Sequence, residues 1–438
     1  MWRAGTVRRE RERGVRATSA ASGRCLVALV LLAGCGGGEP PAEPAGDAAA
    51  NEEAVLMERA KRLTEQAILV DTHIDVPYRL VEGGDEDLST RTGKGDFDHP
   101  RAVAGGLDAA FMSIYVPADL QADPAAAKEH ADRLIEMVEG FAARWPEKFA
   151  LATSPADVRR LAAVEGMVSL PMGMENGAPL ETLEDVRRYA GRGIRYVTLT
   201  HGEDNLIADS SYAETDTWGG LSPYGREVIA ELNRLGVLVD VSHVSDPALE
   251  QAVELSQAPV IASHSSCRHF TPGFERNVSD ELITKLAAAG GVVQVNFGSA
   301  FVTAEANAQS MEYYLARGAH FEEQGIEEGS PEAEAWDEEY WRDKERIYAD
   351  VTDVADHVDH VIQLVGVEHV GLGSDFDGVG DSLPTGLKDA SQYPNLVAEL
   401  LRRGHSEDHL RLILGENLLR VWERAEAVAK ELSEPARP

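Results

Sequence analysis

Residues 67–76 read AILVDTHIDV, an apolar run that ends in one histidine and two aspartates. The run predicts a buried strand, and His73 and Asp75 fall two residues apart at its end. Because side chains alternate along a strand, residues i and i+2 point to the same face. An imidazole and a carboxylate that point the same way form half of a metal site.

Seven more apolar runs follow the first one. They cover 107–116, 167–175, 194–201, 237–244, 259–265, 291–297 and 369–376. Helical patterns lie between them at 124–143, 155–164, 181–192, 222–235, 246–256, 279–289 and 350–365. Most of the runs are continuous, which is typical of a parallel sheet covered by helices. Eight such units predict an α/β fold, a (β/α)8 TIM barrel, with a doubly wound open sheet as the alternative.

Ionisable side chains end six of the eight predicted strands. They are His73 with Asp75, Glu175, His201, His243, His264 and Asp375. The second and seventh strands end at Pro117 and Gly298 and offer no obvious ligand. In a barrel these ends meet at one mouth. One such histidine is usually a hydrogen-bonded rim residue, but charged groups in this number need partners, and a metal ion is an efficient one.

The predicted metal ligands are His73, Asp75, Glu175, His243 and His264. Five ligands are too many for one tetrahedral catalytic zinc that keeps an open position. Two metal ions that share a carboxylate would use all five and could activate one water between them. Nitrogen and oxygen ligands without cysteine do not decide among zinc, manganese and iron.

The remaining histidines fall at helical or strand-start positions. His99, His269, His357, His360 and His369 are therefore interpreted as structural or exposed residues.

Two segments interrupt the regular alternation of strands and helices. Residues 77–106 predict a polar, glycine-rich loop, and residues 299–349 predict an acidic helical insertion after the seventh strand. An insertion at that place lies on the active-site face of a barrel, where it could wall the site or form a homodimer contact. A solvated helical hairpin is the alternative. Residues 394–432 predict closing helices, so residues 54–438 form one barrel domain.

The chain of 438 residues is strongly acidic, with 75 Asp and Glu against 41 Lys and Arg and a net charge of −34. Hydrophobic content of 43% and charged content of 26% are those of a soluble globular protein. Such a surface repels nucleic acid and anionic lipid, so we expect no nucleic-acid partner.

The first 34 residues predict a signal peptide of the lipoprotein type. An arginine-rich start precedes the apolar stretch Leu26–Ala33, which is too short to span a bilayer. The sequence LAGC that ends at Cys35 resembles a bacterial lipobox, which implies cleavage before Cys35 and acylation of its thiol. An ordinary signal peptide, or no export, is the alternative.

The glycine- and proline-rich residues 35–53 predict a flexible tether. We therefore expect an exported bacterial lipoprotein that touches the membrane through its lipid only. Its domain would keep Cys267 as its single cysteine and so lack an internal disulfide.

Several motifs of this chain resemble those of the membrane (renal) dipeptidase family of zinc metallopeptidases. They include DTHID at 71–75, GGLDAAFMS at 105–113, YVTLTH at 196–201, NRLGVLVDVSHVS at 233–245, SHSS at 263–266, RNV at 276–278 and GSDFDG at 373–378. The resemblance runs from Leu69 to Val421. It implies a (β/α)8 barrel with two zinc ions that hydrolyses dipeptides with a free C-terminal carboxylate, with C-terminal D-residues an open question.

By position, the resemblance implies that His73 and Asp75 bind one zinc ion and that His243 and His264 bind the other, with Glu175 between the two ions.

Three further residues receive roles from the same resemblance. It implies that His201 contacts the substrate carbonyl, Arg276 holds the terminal carboxylate, and Asp375 carries the proton in transit.

The chain departs from the family pattern in the neighbourhood of the site. Asn176 follows Glu175 where a small residue is expected, and Gly298 stands where the mammalian enzymes have a tyrosine, so one pocket wall is opened or rebuilt. Two alternatives to a dipeptidase follow from the ligand set: a binuclear amidohydrolase acting on cyclic amides or esters, and a non-catalytic solute-binding lipoprotein. Such amidohydrolases often use a modified lysine on the fourth strand, where this chain has His201.

Overall fold

The structure, a computed structural model, describes residues 45–327 and 329–434. The strands are β1 Val70–Ile74, β2 Ala109–Tyr115, β3 Phe149–Leu151, β4 Val168–Leu170, β5 Met172–Glu175, β6 Ile194–Thr198, β7 Leu238–Asp240, β8 Ile261–Ala262, β9 Val292–Val295 and β10 Val370–Leu372.

Eight of these strands form a closed ring in the order β1, β2, β5, β6, β7, β8, β9, β10, and all paired strands are parallel. The ring closes where Ile74 bridges Phe376 in parallel. The Asp375 N–H donates to the His73 carbonyl at 3.1 Å across this seam. The predicted (β/α)8 barrel is confirmed, and the open-sheet alternative is wrong.

Most of the helices cover the outside of the barrel, and most begin at a residue whose side chain caps the first turn. They are α1 Ala45–Gln66, α2 Val76–Gly83, α3 His99–Gly105, α4 Pro124–Arg144, α5 Pro155–Ala162, α6 Leu183–Gly191, α7 Pro223–Leu235, α8 Asp246–Leu255, α9 Asp280–Ala288, α10 Ser299–Val302, α11 Ala304–Gln324, α12 Pro331–Trp341, α13 Val351–Val365, α14 Tyr393–Arg402, α15 Glu407–Arg411 and α16 Asn417–Ser433. For example, the side chains of Ser154 and Ser222 cap α5 and α7, each before a proline in the first turn. Among the described residues, no helix is long and apolar enough to cross a bilayer.

Three features differ from the predicted elements. The third apolar run is split into β4 and β5 at Pro171, which has no N–H to donate to a neighbouring strand. The segment 77–106, predicted to be a loop, contains the short helices α2 and α3, because Pro77 and the Asp98 cap start helical turns there. Helix α1 begins at Ala45, inside the predicted tether, because the alanine-rich residues 45–53 are strong helix formers.

The barrel interior is filled from below by the C-terminal helix. Trp422 of α16 is fully buried and its ring centroid lies 5.4 Å from that of Phe111 on β2. The Phe111 ring lies 5.5 Å from that of Tyr196 on β6, and the Tyr196 hydroxyl lies 2.8 Å from Nδ1 of His73. This aromatic column supports the floor of the mouth, where the predicted ligands lie.

Candidate active site

The five predicted metal ligands come together at the carboxyl ends of the strands. His73 lies in β1 and Asp75 directly follows it, Glu175 ends β5, and His243 and His264 follow β7 and β8. None of the five is more than 6% exposed. They are brought together because parallel strands of a barrel end at one face.

Glu175 lies at the centre of this group. Its Oε2 is 3.4 Å from Nε2 of His73. Its other oxygen, Oε1, is 3.0 Å from Nε2 of His243 and 3.2 Å from Nε2 of His264. Nε2 of His73 also lies 3.3 Å from Oδ2 of Asp75. The two oxygens of one carboxylate therefore face two separate groups of ligands.

Several buried polar atoms of the group have no hydrogen-bond partner within the described chain. They include Nε2 of His73 and Oδ1 of Asp75. Nε2 of His243 and Nε2 of His264 face each other at 2.8 Å beside the same carboxylate oxygen. Buried polar atoms without partners are costly, and nitrogen and oxygen donors that converge in this way fit divalent metal ions.

Electrostatics hold His243, His264 and Glu175 in states that bind metal. His73 differs, because burial alone would lower its pKa but Tyr196, Glu175 and Asp75 hold that pKa well above the ordinary value. Burial lowers the pKa values of His243 and His264 well below the ordinary value, and the charge of Arg276 adds to this. Burial alone would raise the pKa of Glu175, but the neighbouring imidazoles, His73 first, hold it well below the usual range. Neutral imidazoles and an ionised carboxylate are the forms in which these residues coordinate metals.

The three residues predicted to act on the substrate lie around the ligands. Nε2 of His201 is 3.7 Å from Oε1 of Glu175, and Oδ2 of Asp375 accepts a hydrogen bond from Nδ2 of Asn296 at 2.7 Å. Arg276 is 2% exposed, and its Nη2 lies 3.0 Å from Nε2 of His243. Of these three, His201 and Asp375 line the cavity at the mouth, whereas Arg276 does not line it.

Left-handed backbone at residues other than glycine is concentrated at this mouth. Within the described residues, the non-glycine positions with positive φ are Asn176 at 76°, His243 at 68°, Asp375 at 63° and Asp377 at 65°. Asn, Asp and His tolerate this region better than other side chains, and such conformations cluster at functional sites. Asn176, which departs from the family pattern, therefore fits the turn that directly follows Glu175.

The insertion 299–349 forms one wall of a cavity of about 560 Å³ above the ligands. Tyr313 of α11 and Trp341 of α12 line this wall. Of the two predictions for this insertion, the structure agrees with a wall of the site and not with a hairpin that is only solvated. At Gly298 the wall is rebuilt, because Phe301 and Val379 fill the space beside this glycine and both line the cavity.

The sequence reasoning missed the residues that support the ligands from below. Tyr196, Asp240 and Ser263 are fully buried and hydrogen-bonded around the histidines. The sequence marks these positions only weakly. Asp240 is a carboxylate inside an apolar run, and Ser263 precedes a predicted ligand.

These observations define a metal-dependent hydrolase built on a (β/α)8 barrel, and comparison with known proteins identifies its family. Residues 57–436 match the model of the membrane dipeptidase family, Peptidase family M19. The chain therefore belongs to that family and is a metal-dependent dipeptidase. The resemblance found in the motifs is confirmed.

Individual relatives agree with this assignment. The chain is 32% identical over 410 residues to an uncharacterized dipeptidase of Schizosaccharomyces pombe, covering 88% of this chain and 87% of that protein. The crystal structure of the probable dipeptidase PvdM from Pseudomonas aeruginosa is 29% identical with a TM-score of 0.74, covering 86% of this chain and 99% of the other. A metallo peptidase from Rhodobacter sphaeroides, liganded with a phosphinate mimic of the dipeptide L-Ala-D-Ala, has the same fold, with 24% identity, a TM-score of 0.66 and coverage of 82% and 99%.

Proposed function

We propose that this chain is a binuclear zinc dipeptidase that cleaves dipeptides with a free C-terminal carboxylate. The observation that carries the proposal is the position of Glu175, whose Oε2 faces His73 at 3.4 Å and whose Oε1 faces His243 and His264 at 3.0 and 3.2 Å. A carboxylate placed between two ligand groups can give one oxygen to each of two ions. His73 and Asp75 would hold the first ion, and His243 and His264 the second.

The bound ions would supply a low pKa for an attacking water and positive charge near the scissile carbonyl. The surrounding residues stabilise the developing negative charge, transfer the proton and bind the substrate carboxylate. Burial lowers the pKa of His201 to about 3, so its imidazole is neutral at working pH and can donate an N–H to the oxygen on which negative charge develops.

Asp375 is suited to hold the proton in transit. Burial raises the pKa of Asp375 to about 7, and the carboxylates of Asp75 and Glu175 add to this although His73 opposes it. The Asn296 amide donates to Oδ2 of Asp375, which leaves Oδ1 to take a proton from the attacking water and pass it to the leaving amine. Proton transfer by a group with a pKa near the working pH is most effective in both directions.

Arg276 would bind the terminal carboxylate of the substrate. Its Nη1 donates to Ser265 Oγ at 2.7 Å and its Nη2 to the His264 carbonyl at 2.8 Å, while its Nε has no partner within the described residues. Because Nη2 also faces Nε2 of His243 at 3.0 Å, a guanidinium held in this way keeps its Nε–H and one Nη1–H for charge-assisted hydrogen bonds to a carboxylate. Such a pair selects short peptides with a free C-terminus.

The proposal includes dipeptides with a C-terminal D-residue. The Rhodobacter sphaeroides relative, which shares the fold, was solved with a mimic of L-Ala-D-Ala.

A metal assay followed by a substrate panel tests the proposed function. The purified enzyme should contain about two zinc equivalents per chain. Removal of the zinc by a chelator should abolish activity, and addition of zinc should restore it. The panel compares L-Ala-L-Ala, L-Ala-D-Ala, L-Ala-L-Ala amide and tri-alanine, with hydrolysis expected for the first two. Cleavage of cyclic amides or esters instead of free dipeptides would contradict the proposal.

We also propose that the enzyme is an exported lipoprotein anchored through Cys35 to the cell envelope. Residues 1–34 and Cys35 lie outside the described residues, so this rests on the sequence features alone. Metabolic labelling with an alkyne fatty acid should label the wild type but not Cys35→Ala, and Cys267→Ala is the matched control. The homodimer remains a prediction that sedimentation of the domain 54–438 can check.

A further inference from the structure

The four histidines around Glu175 differ in what holds the ring nitrogen that faces away from it. Nδ1 of His264 lies 2.8 Å from Ser263 Oγ, and Nδ1 of His73 lies 2.8 Å from the Tyr196 hydroxyl. Nδ1 of His201 and of His243, by contrast, has no hydrogen-bond partner within the described chain. Two of the four histidines therefore have a side chain of the protein that holds this nitrogen in place.

The contacts that extend from Nδ1 of His264 through Ser263 Oγ end at the buried carboxylate of Asp240. Asp240 of β7 is 0% exposed, and its Oδ2 accepts hydrogen bonds from Thr198 Oγ1 at 2.5 Å and Ser263 Oγ at 2.6 Å. Its Oδ1 accepts from the backbone N–H groups of Ser242 at 3.1 Å and Ser263 at 2.8 Å. Four donors thus surround Asp240, which as a carboxylate has no proton to donate and can only accept from them.

This arrangement decides the direction of each hydrogen bond in the chain of contacts. A serine hydroxyl has one proton, and that of Ser263 goes to Asp240, because a carboxylate cannot donate. Ser263 Oγ must then accept from His264, which places the imidazole proton on Nδ1. The lone pair of His264 is consequently left on Nε2, the atom that lies 3.2 Å from Oε1 of Glu175.

We propose that Asp240 and Ser263 are positioning residues that lock His264 as the Nδ1–H tautomer and thereby set the affinity of the metal ion held by His243 and His264. Both residues are fully buried, and neither lines the cavity at the mouth. Hydrogen bonds to the far nitrogen of a metal-binding histidine are typically worth about 10- to 100-fold in metal affinity. The inference rests on the proposed function in that it takes the site to bind two ions.

Three variants separate this role from simple structural support. Ser263→Ala removes the acceptor for Nδ1–H. In Asp240→Asn the amide can donate to Ser263 Oγ, which turns the serine proton towards Nδ1 of His264 and moves the ring proton to Nε2, where it blocks metal binding. Thr198→Val removes the other hydroxyl from the same Asp240 oxygen without touching His264, so it is the matched control.

The readout is zinc affinity of the full domain, measured by titrating chelator-stripped protein in competition with a chromogenic chelator. We expect one of the two sites to weaken about 10- to 100-fold in Ser263→Ala and further in Asp240→Asn, with Thr198→Val within about threefold of the wild type. Unchanged affinities in the folded Ser263→Ala and Asp240→Asn proteins, or equal weakening in Thr198→Val, would overturn the inference. A wild type that binds fewer than two zinc ions would instead overturn the proposed function.

Neutron diffraction from wild-type crystals tests the same inference without any variant, in case the substitutions prevent folding. The expected map shows a deuteron on Nδ1 of His264 and one on Ser263 Oγ directed at Asp240. A deuteron on Nε2 of His264, or a Ser263 hydroxyl directed at the ring, would overturn the inference.

Discussion

The imidazole rings of His73 and His264 are stacked, with centroids 3.7 Å apart and planes inclined by 24°. The lone pair of a ring nitrogen lies in the plane of its ring, so stacked rings direct their lone pairs side by side and not at one point. Each Nε2 also faces a different oxygen of Glu175. This arrangement suits two neighbouring cations better than a single one.

Metal content should therefore respond separately to the two histidines. His73→Ala and His264→Ala should each lower the zinc content from about two equivalents per chain towards one, because each removes a ligand of a different ion. Inductively coupled plasma mass spectrometry after dialysis measures this content. His409→Ala on the exposed surface of α15 is the control and should keep the wild-type content. A single equivalent in the wild type would contradict the two-ion arrangement.

Replacement of the central carboxylate should abolish catalysis without unfolding the barrel. Glu175→Gln keeps the size of the side chain but removes the charge that two cations would share, so kcat/KM for L-Ala-L-Ala should fall by at least about 1,000-fold. Circular dichroism should be unchanged. Glu181→Gln removes a carboxylate that pairs with Lys128 away from the mouth and should retain activity. Wild-type activity in Glu175→Gln would exclude the bridging role.

Arg276→Ala should act on substrate binding more than on the chemical step. Loss of a charge-assisted pair with the terminal carboxylate should raise KM by about 10- to 100-fold while kcat changes less. Steady-state kinetics on L-Ala-L-Ala and on its C-terminal amide give the decisive comparison, since the variant should no longer distinguish the two. Arg268→Ala, which removes a partner of Asp246, is the control. An unchanged preference for the free carboxylate would refute the role of Arg276.

Gly378 allows two carboxylates to approach each other at the mouth. A Cβ atom at this position would clash with Oδ1 of Asp375 and Oδ2 of Asp75. Gly378→Ala should therefore displace both groups and lower kcat at least about 100-fold, measured at saturating dipeptide. Gly380→Asn is the matched control, because no atom lies within 4 Å of its Cβ position and Asn tolerates the positive φ of 58°. Equal activity of the two variants would show that this close approach is unimportant.

His357 should make stability depend on pH. It is fully buried, with Nδ1 accepting from the Cys267 N–H and Nε2 donating to the Val302 carbonyl, both at 2.9 Å. Burial lowers the pKa of His357 to about 4. Between this value and the unfolded pKa of about 6.5 the unfolded chain binds more protons, so the contribution of neutral His357 is lost as the pH falls, up to about 3 kcal/mol.

Urea unfolding at pH 7, 6 and 5 tests this dependence against His357→Gln, which offers a donor and an acceptor but does not titrate. The variant should be less stable at pH 7, because its amide cannot match both partners, and the difference from the wild type should narrow towards pH 5. Parallel stability curves for the two proteins would contradict the assignment.

The barrel and the clustering of the candidate ligands could be predicted because the relevant signal is local in the sequence. Helices α4, α7, α8 and α13 begin and end within one residue of their predicted limits, since capping residues and prolines mark them. His73, Glu175, His243 and His264 stood out because each ends an apolar run where packing alone would favour an apolar residue.

The supporting residues could not be predicted because their roles depend on strand register. Thr198 pairs with Asp240, and Asp240 pairs with Ile261, two residues before Ser263. Only this pairing places two hydroxyls on one buried carboxylate, and serine and threonine are too common to mark such a position. The short strand β3 and the early start of α1 at Ala45 were missed because neither has a periodic apolar pattern.

The glycine at 298 constrains the order in which this pocket can change during evolution. A Cβ atom there would lie 2.9 Å from both the Phe301 ring and a methyl group of Val379, and the Arg276 guanidinium lies over the same Phe301 ring at 5.3 Å. A larger residue at 298 therefore requires both of these neighbours to shift or to become smaller. Substitution of Phe301 first would also disturb Arg276. We therefore expect substitution of Val379 to come first in a lineage that changes this wall.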